Sequence, residues 1–280
     1  MPLPRRFRKE EAKAHLRIAT WNINSLRLRM PLLRRLVDEL DPDVICLQET
    51  KVPDPLFPAG GPAELGFPHV SFRGMKGYNG VAIISRVPFT LHDEAPDWCA
   101  KGDCRHVAVT LALPSGPIEL HDFYVPAGGD VPDREANVKF AHKLDFLAEA
   151  TGWFANRAGF PRSVIVGDLN IAPLEHDVWS HKQLLDVVSH TPVEVAALAA
   201  WQATGFVDAL RHFVPADEKL YTWWSYRNEN WRGSNRGRRL DHIWLTPDLM
   251  PSLRSHTILK DARDWPRTSD HVPVCVDLDV

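Results

Sequence analysis

Ser163-Val164-Ile165-Val166-Gly167-Asp168-Leu169-Asn170 is the stretch whose reading decides the fold. Ser163 to Val166 is short, apolar and β-branched, and Pro161 precedes it. Such a run predicts a strand covered on both faces. Gly167 interrupts it, and Asp168 and Asn170 follow. Residues two apart on a strand project to the same side. A carboxylate and an amide would then share the tip of a buried strand, where they can polarise a water and hold a phosphate oxygen. Gly, Asp and Asn are also ordinary turn formers, so this stretch alone does not separate a site from a turn. Other strand-like runs with polar tips give it weight.

Working outward, Leu16 to Trp21 is such a run and ends in Asn22-Ile23-Asn24. Pro31 predicts a helix start, with Leu32, Leu33, Leu36, Val37 and Leu40 as its apolar stripe. Val44 to Leu47 is the next strand, tipped by Gln48-Glu49. Val70 to Phe72, Val81 to Ile84, His106 to Leu113 and Ile118 to Val125 follow at short spacing, which favours antiparallel pairing. A long helix is predicted from Asp133 to about Ala158, and mostly helical character from Glu175 to Leu210. Tyr221 to Tyr226, Leu240 to Leu245 and Val272 to Val280 read as strands, the last introduced by Ser269-Asp270-His271. No repeat or linker divides the chain. The expectation is an α/β protein with two mainly antiparallel sheets flanked by helices: one domain over 16–280 behind a basic arm at 1–15.

Composition sets limits on the partners. A chain of 280 residues with 44% hydrophobic and 25% charged residues can bury a core without staples. Cys46, Cys99, Cys104 and Cys275 show no CxxC or zinc spacing, which predicts reduced thiols in a cytoplasmic setting. No apolar run reaches membrane-span length, and Pro4-Arg5-Arg6-Phe7-Arg8-Lys9 lacks a signal peptide's apolar core. The formal net charge is −3, so any polyanion must be met by a local patch. Arg227, Arg232, Arg236, Arg238 and Arg239 form one, opposed only by Glu229.

The tips are Asn22, Asn24, Glu49, Tyr124, Asp168, Asn170, Asp241, Asp270 and His271. Carboxylate and amide oxygens without a Cys or His cluster suit a hard cation, Mg²⁺ or Mn²⁺, and not zinc. Displacement at phosphorus is the chemistry such a set performs best. Each member taken alone has a plainer reading: a solvated Glu49, a turn-capping Asp270, a hydrogen-bonded structural His271, a half-buried Tyr124.

Trp21-Asn22-Ile23-Asn24, Leu47-Gln48-Glu49-Thr50-Lys51, Gly167-Asp168-Leu169-Asn170, Arg239-Leu240-Asp241 and Ser269-Asp270-His271 resemble, in order, the motifs of the exonuclease III type of abasic-site endonuclease. That group lies in the endonuclease/exonuclease/phosphatase superfamily. The resemblance runs from about Ile18 to the C-terminus, with further matches at Gly80 to Ser85 and Tyr124-Val125-Pro126. It implies a four-layer α-β-β-α sandwich with the site at one edge of the paired sheets. Glu49 resembles the principal metal ligand, with Asn22 and Asp270 near the metal. Asp168 resembles the group that orients or deprotonates water. Asn170 and Tyr124 resemble phosphate contacts, and His271 a phosphate-facing donor fixed by Asp241.

The resemblance further implies a Mg²⁺-dependent DNA repair nuclease that cuts 5′ to abasic sites, leaves a 3′-hydroxyl and trims 3′ ends. Its expected partner is double-stranded DNA with abasic sites or 3′ ends, bound by a monomer without a membrane or an obligate protein partner. A pocket for the bare sugar is implied around Trp223 and Leu240. Arg238 departs from the apolar residue relatives carry there. Its guanidinium either stacks on sugar or base or points away, and selectivity turns on which. Ser25 replaces a common glycine, and Ala127 a polar amide. Trp231 and Arg236 belong to the basic loop, where Trp231 either wedges into the minor groove or packs on the body of the protein. Two other readings stand: a phosphodiesterase of another superfamily branch acting on RNA or phospholipid, and a non-catalytic nucleic-acid-binding member.

Overall fold

Two six-stranded sheets stack face to face in the computed structural model, which describes residues 15–92, 96–157 and 162–280. The expected arm at 1–15 lies outside these residues except for His15. In chain order the first half holds β1 (His15–Asn22), α1 (Leu26–Leu40), β2 (Val44–Gln48), α2 (Gly60–Glu64), β3 (His69–Arg73), β4 (Val81–Ser85), β5 (Phe89–Leu91), β6 (His106–Leu111) and β7 (Ile118–Tyr124). The second half holds α3 (Val138–Ala155), β8 (Ser163–Asp168), α4 (His181–Leu184), α5 (Pro192–Gln202), β9 (Val207–Asp208), α6 (Trp231–Ser234), β10 (Asp241–Leu245), β11 (Leu253–Ile258) and β12 (Val274–Asp279).

The sheet orders are β11-β12-β1-β2-β4-β3 and β5-β6-β7-β8-β10-β9. Ile18, Cys46, Val81 and Val276 of the first sheet meet Val109, Leu120, Val166 and Ile243 of the second in one buried cluster. Leu33, Leu36 and Leu40 of α1 cover the outer face of the first sheet through Ala19, Trp21 and Ile45. Phe146 and Phe154 of α3, with Leu198 and Trp201 of α5, cover the second through Phe123, Ile165 and Trp244. The result is the expected four-layer sandwich.

Strand direction places the tips. Each sheet has one parallel pair, β1 with β2 and β7 with β8; the remaining pairs are antiparallel. A helix crosses over within each parallel pair, α1 in one and α3 in the other. Asn22 therefore ends beside Gln48, and Tyr124 beside Asp168. β12 and β10 run the other way, so the residues at their starts reach the same edge, and Asp241 pairs with Asp168.

Gly167 continues β8 rather than ending it. Its φ is +139°, and a Cβ there would collide with the Phe123 carbonyl oxygen on the neighbouring strand. Only glycine lets β7 and β8 approach so closely.

Local readings change in several places. α1 begins at Leu26, before Pro31, and kinks at Arg29 (φ −115°, ψ 15°), where proline's missing donor loosens the turn. α3 starts at Val138, with the Asn137 side chain accepting from Lys139 N at 3.0 Å. Tyr221 to Tyr226 is no strand: Trp223 makes only bridges, to Arg238 and His271. β5 and β11 were not expected: β5 is only three residues long, and β11 carries four consecutive polar residues, Arg254 to Thr257.

Candidate active site

Asn22 ends β1 fully buried and joins the two sheets. Its amide nitrogen donates to Glu49 Oε1 at 2.9 Å and to Asp168 Oδ2 at 2.8 Å. The Tyr124 hydroxyl donates to the same Glu49 oxygen at 3.0 Å, and Lys51 Nζ lies 2.8 Å from Glu49 Oε2. Burial alone would raise the Glu49 pKa, but the Lys51 charge and the Asn22 hydrogen bond outweigh it and hold the carboxyl below its usual range. Burial, with Glu49 alongside, pushes the Tyr124 phenol well above its ordinary pKa, so it remains a neutral donor.

Asp168 is the second centre. Its Oδ1 accepts from Asn170 N at 3.0 Å, while His271 Nε2 lies 3.6 Å from Oδ2. His271 Nδ1 lies 2.8 Å from Asp241 Oδ2, which also accepts from Thr222 Oγ1 at 2.6 Å. Burial would lower the His271 pKa, but Asp241 and Asp168 together raise it to about 10. Burial pushes the Asp168 carboxyl up; His271 opposes this and Asp241 adds to it. Asp168, Asp241 and His271 place one donor atom each within 4.8 Å of one another. His271 thus lies between two carboxylates, its Nδ1 facing Asp241 and its Nε2 facing Asp168.

The backbone around the site is held in costly conformations. Asn24, Ser25, Glu49, Lys51 and Asn170 have φ of 49°, 89°, 51°, 53° and 54°. Left-handed non-glycine residues cost on the order of 1–3 kcal/mol each and gather where surrounding structure over-determines them. Asn170 thus leaves the strand, and its Nδ2 donates to Val125 O at 2.9 Å. It reaches the same cleft as Asp168 through this turn, not as a continuation of the strand.

Oxygen donors dominate what a cation could use here. Lys51 Nζ rests on Glu49 Oε2 and, at 2.6 Å, on Asn24 Oδ1, so oxygens already surround one positive charge. The Asn24 amide nitrogen in turn lies 3.4 Å from Asp270 Oδ1. Such a set fits a hard divalent ion. Asn22 turns its nitrogen, not its oxygen, to Glu49 and Asp168. In this arrangement it organises the two carboxylates.

The cluster lies at the foot of a cleft of about 860 Å³. Trp223, Arg236, Arg238 and Leu240 line it. Trp223 Nε1 donates to Asp270 Oδ2 at 2.9 Å. Arg236 lies over the Trp179 ring at 4.7 Å. Trp231 does not join them. It is buried, packs edge-on to Trp224 at 5.2 Å and donates to Asp264 Oδ1 at 2.8 Å. The wedge expectation is therefore corrected: a neighbouring tryptophan and an acid that accepts its N–H hold the ring on the protein body.

Sequence reasoning missed several supports. Thr222 fixes Asp241, and fully buried Arg239 grips Asp177 through Nε and Nη2 at 2.8 and 2.9 Å, anchoring the segment that delivers Leu240 and Asp241. Buried Lys143 donates to Asn170 O at 2.8 Å and pairs with Glu194 at 2.5 Å. Of these, the capping-box spacing Thr191 to Glu194 carried a signal for Glu194 as a helix cap, though not for its Lys143 partner.

The chain matches the family model for the endonuclease/exonuclease/phosphatase family over residues 19–271, a span that includes every tip of the site. The chain belongs to the endonuclease/exonuclease/phosphatase family. Within it the chain is an enzyme of the exodeoxyribonuclease III and AP endonuclease type, a phosphodiesterase in a metal-dependent family. It is 29% identical over 267 residues to exodeoxyribonuclease III of Haemophilus influenzae, covering 92% of this chain and 98% of that protein. It is 29% identical over 281 residues to the DNA repair nuclease APEX1 of Danio rerio, covering 97% and 85%. Among solved structures, an AP endonuclease from Archaeoglobus fulgidus superposes with TM-score 0.85 at 31% identity, covering 95% of this chain and all of that one. A 3′ phosphatase from Neisseria bound to a product DNA hairpin gives TM-score 0.85 at 29% identity, covering 95% and 100%. Among the described residues of this family member, no helix is long and apolar enough to cross a membrane.

Proposed function

We propose that the protein is a Mg²⁺-dependent DNA repair nuclease that hydrolyses the phosphodiester 5′ to an abasic site, leaves a 3′-hydroxyl and trims blocked 3′ ends. The observation that carries this is the pairing of the Glu49, Asp168 and His271 cluster with arginines above it in one cleft. Arg227, Arg236 and Arg238 line that cleft without a carboxylate in ion-pair range among the described residues, while Arg232 outside it is paired with Asp261. Unneutralised arginines beside a phosphoryl-transfer site suit a polyanion.

Mg²⁺, or Mn²⁺ in its place, held by Glu49 with Asp270 nearby, would neutralise charge growing on the phosphate oxygens. Tyr124 and Asn22 fix the Glu49 carboxylate. Asp168 orients the attacking water and, with its pKa raised by burial, takes its proton. The His271 imidazolium, backed by Asp241, donates to a phosphate oxygen and stabilises the charge there. Asn170 and Tyr124 stand on the cleft wall where the phosphate enters. We read the acting species as a cytoplasmic monomer.

Incubating a duplex carrying one tetrahydrofuran site with the protein, in Mg²⁺ and separately in EDTA, tests the proposal. The expected product is a single nick 5′ to the site, in Mg²⁺ only. A metal-independent nick would overturn the metal requirement, and binding without any nick would overturn the activity.

A further inference from the structure

Arg238 stands where the cleft continues past the catalytic cluster. The Trp223 backbone bridges to His271 on one side and to Arg238 on the other, so these residues lie in that order across the wall. A phosphate held at His271 therefore directs whatever is esterified to its far oxygen along Trp223 toward Arg238. The apolar sides of that space come from Trp179, Trp223 and Leu240.

The Arg238 side chain neither points away nor lies free. Its Nη1 donates to Ser189 Oγ at 2.7 Å and to Val188 O at 3.0 Å, and its Cζ sits 5.5 Å from the centre of the Trp223 ring. Buried Nε has no hydrogen-bond partner among the described residues. No carboxylate there lies within ion-pair range of the guanidinium. Glu194 is the one acid whose charge acts on it, and Lys143 already neutralises that carboxylate at 2.5 Å. A half-buried, unpaired guanidinium is unfavourable unless something else supplies the opposite charge. Guanidinium stays protonated at any working pH. Two hydrogen bonds hold this one in place, so little ordering remains to be done when an anion arrives.

We propose that Arg238 makes this pocket selective for 3′ ends whose blocking group is itself anionic: a short carboxylate-bearing remnant esterified to the terminal phosphate, in preference to a neutral remnant. The inference rests on the nuclease reading above and adds to it a preference, set by Arg238, among the blocked 3′ ends that reading already includes. In the reaction, water adds to phosphorus, the P–O3′ bond breaks and the 3′ oxygen takes a proton. The remnant leaves as a phosphomonoester, with its carboxylate paired to Arg238 throughout. Apolar walls strengthen that pair by keeping water from it.

The test uses two duplexes whose 3′ ends differ only in the remnant, one ending in 3′-phosphoglycolate and the other in the 3′-phosphate ester of ethylene glycol. kcat/KM is measured on both for the parent, for Arg238→Leu and for Arg238→Gln, which keeps a donor toward Val188 and Ser189 but removes the charge. The parent is expected to prefer the glycolate end. The ratio between the two ends should fall roughly 10- to 100-fold in both variants, the loss expected of a charge-assisted hydrogen bond. A parent ratio near one overturns the inference. So does a variant that slows on both ends equally, because Arg238 would then only clamp the 188–189 loop. If the parent cuts neither end while still nicking the tetrahydrofuran duplex, the 3′-trimming part of the nuclease reading fails and this inference falls with it; if it also fails to nick that duplex, the nuclease reading itself fails.

Discussion

Ser25 holds φ +89° in the turn whose amide reaches Glu49 O at 2.7 Å. A side chain resists that conformation and glycine adopts it freely. The sequence shows a serine where a glycine is common, and the backbone explains the preference. Ser25→Gly should raise stability by about 1 kcal/mol, strain relieved exceeding chain entropy gained in the unfolded state. A urea titration would read this as a higher midpoint with an unchanged slope; a lower midpoint would show that no strain is stored there. The principal site residues were legible because each is polar at the end of an apolar run, where a strand would otherwise continue. Thr222, Lys143 and Arg239 were not. They look like surface residues until the fold supplies Asp241, Glu194 and Asp177 as partners. Trp231 misled because a tryptophan among arginines reads the same whether it faces DNA or Trp224.

β7 and β8 depend on one glycine for their contact. With a Cβ at Gly167 aimed at the Phe123 carbonyl, Gly167→Ala must push apart the strands that carry Tyr124 and Asp168. A backbone obstacle cannot yield as a side chain does, so the cost should reach at least about 3 kcal/mol, the upper end for overpacking. Thermal unfolding and nicking activity should fall together; a variant with unchanged melting would contradict the close approach. The central strands were readable as apolar runs because they are covered on both faces. Edge strands β5 and β11 carry exposed polar positions and left no such run. Pro31 predicted a helix start, but a proline can also sit inside a kinked helix, and the packing of Leu26 and Leu33 extends α1 across it.

Acid sensitivity is a property of the whole molecule to which one histidine makes an identifiable contribution. Burial, helped by the Arg239 charge, lowers the His242 pKa to about 4, and its Nε2 lies 2.8 Å from Ile171 O. The unfolded chain protonates this imidazole near pH 6.5. Between roughly pH 6.5 and pH 4 the unfolded state therefore binds more protons, so stability falls as pH falls through that window. The loss is on the order of 3 kcal/mol by the lower end. Denaturant midpoints should decline over this range, and His242→Gln should flatten the decline; an equally steep decline in the variant would assign it to other groups. The paired sheets exist to hold the edge where Asn22, Glu49, Asp168, Asp241 and His271 meet, and hydrolysis at that edge is the claim on which the rest depends. Single-turnover cleavage of a tetrahydrofuran-containing duplex in Mg²⁺ by Asp168→Asn, alongside its affinity for the same duplex, tests it most directly. The account predicts a loss of cleavage of about 1000-fold, with affinity kept within a few-fold of the parent. Cleavage close to the parental rate would contradict it.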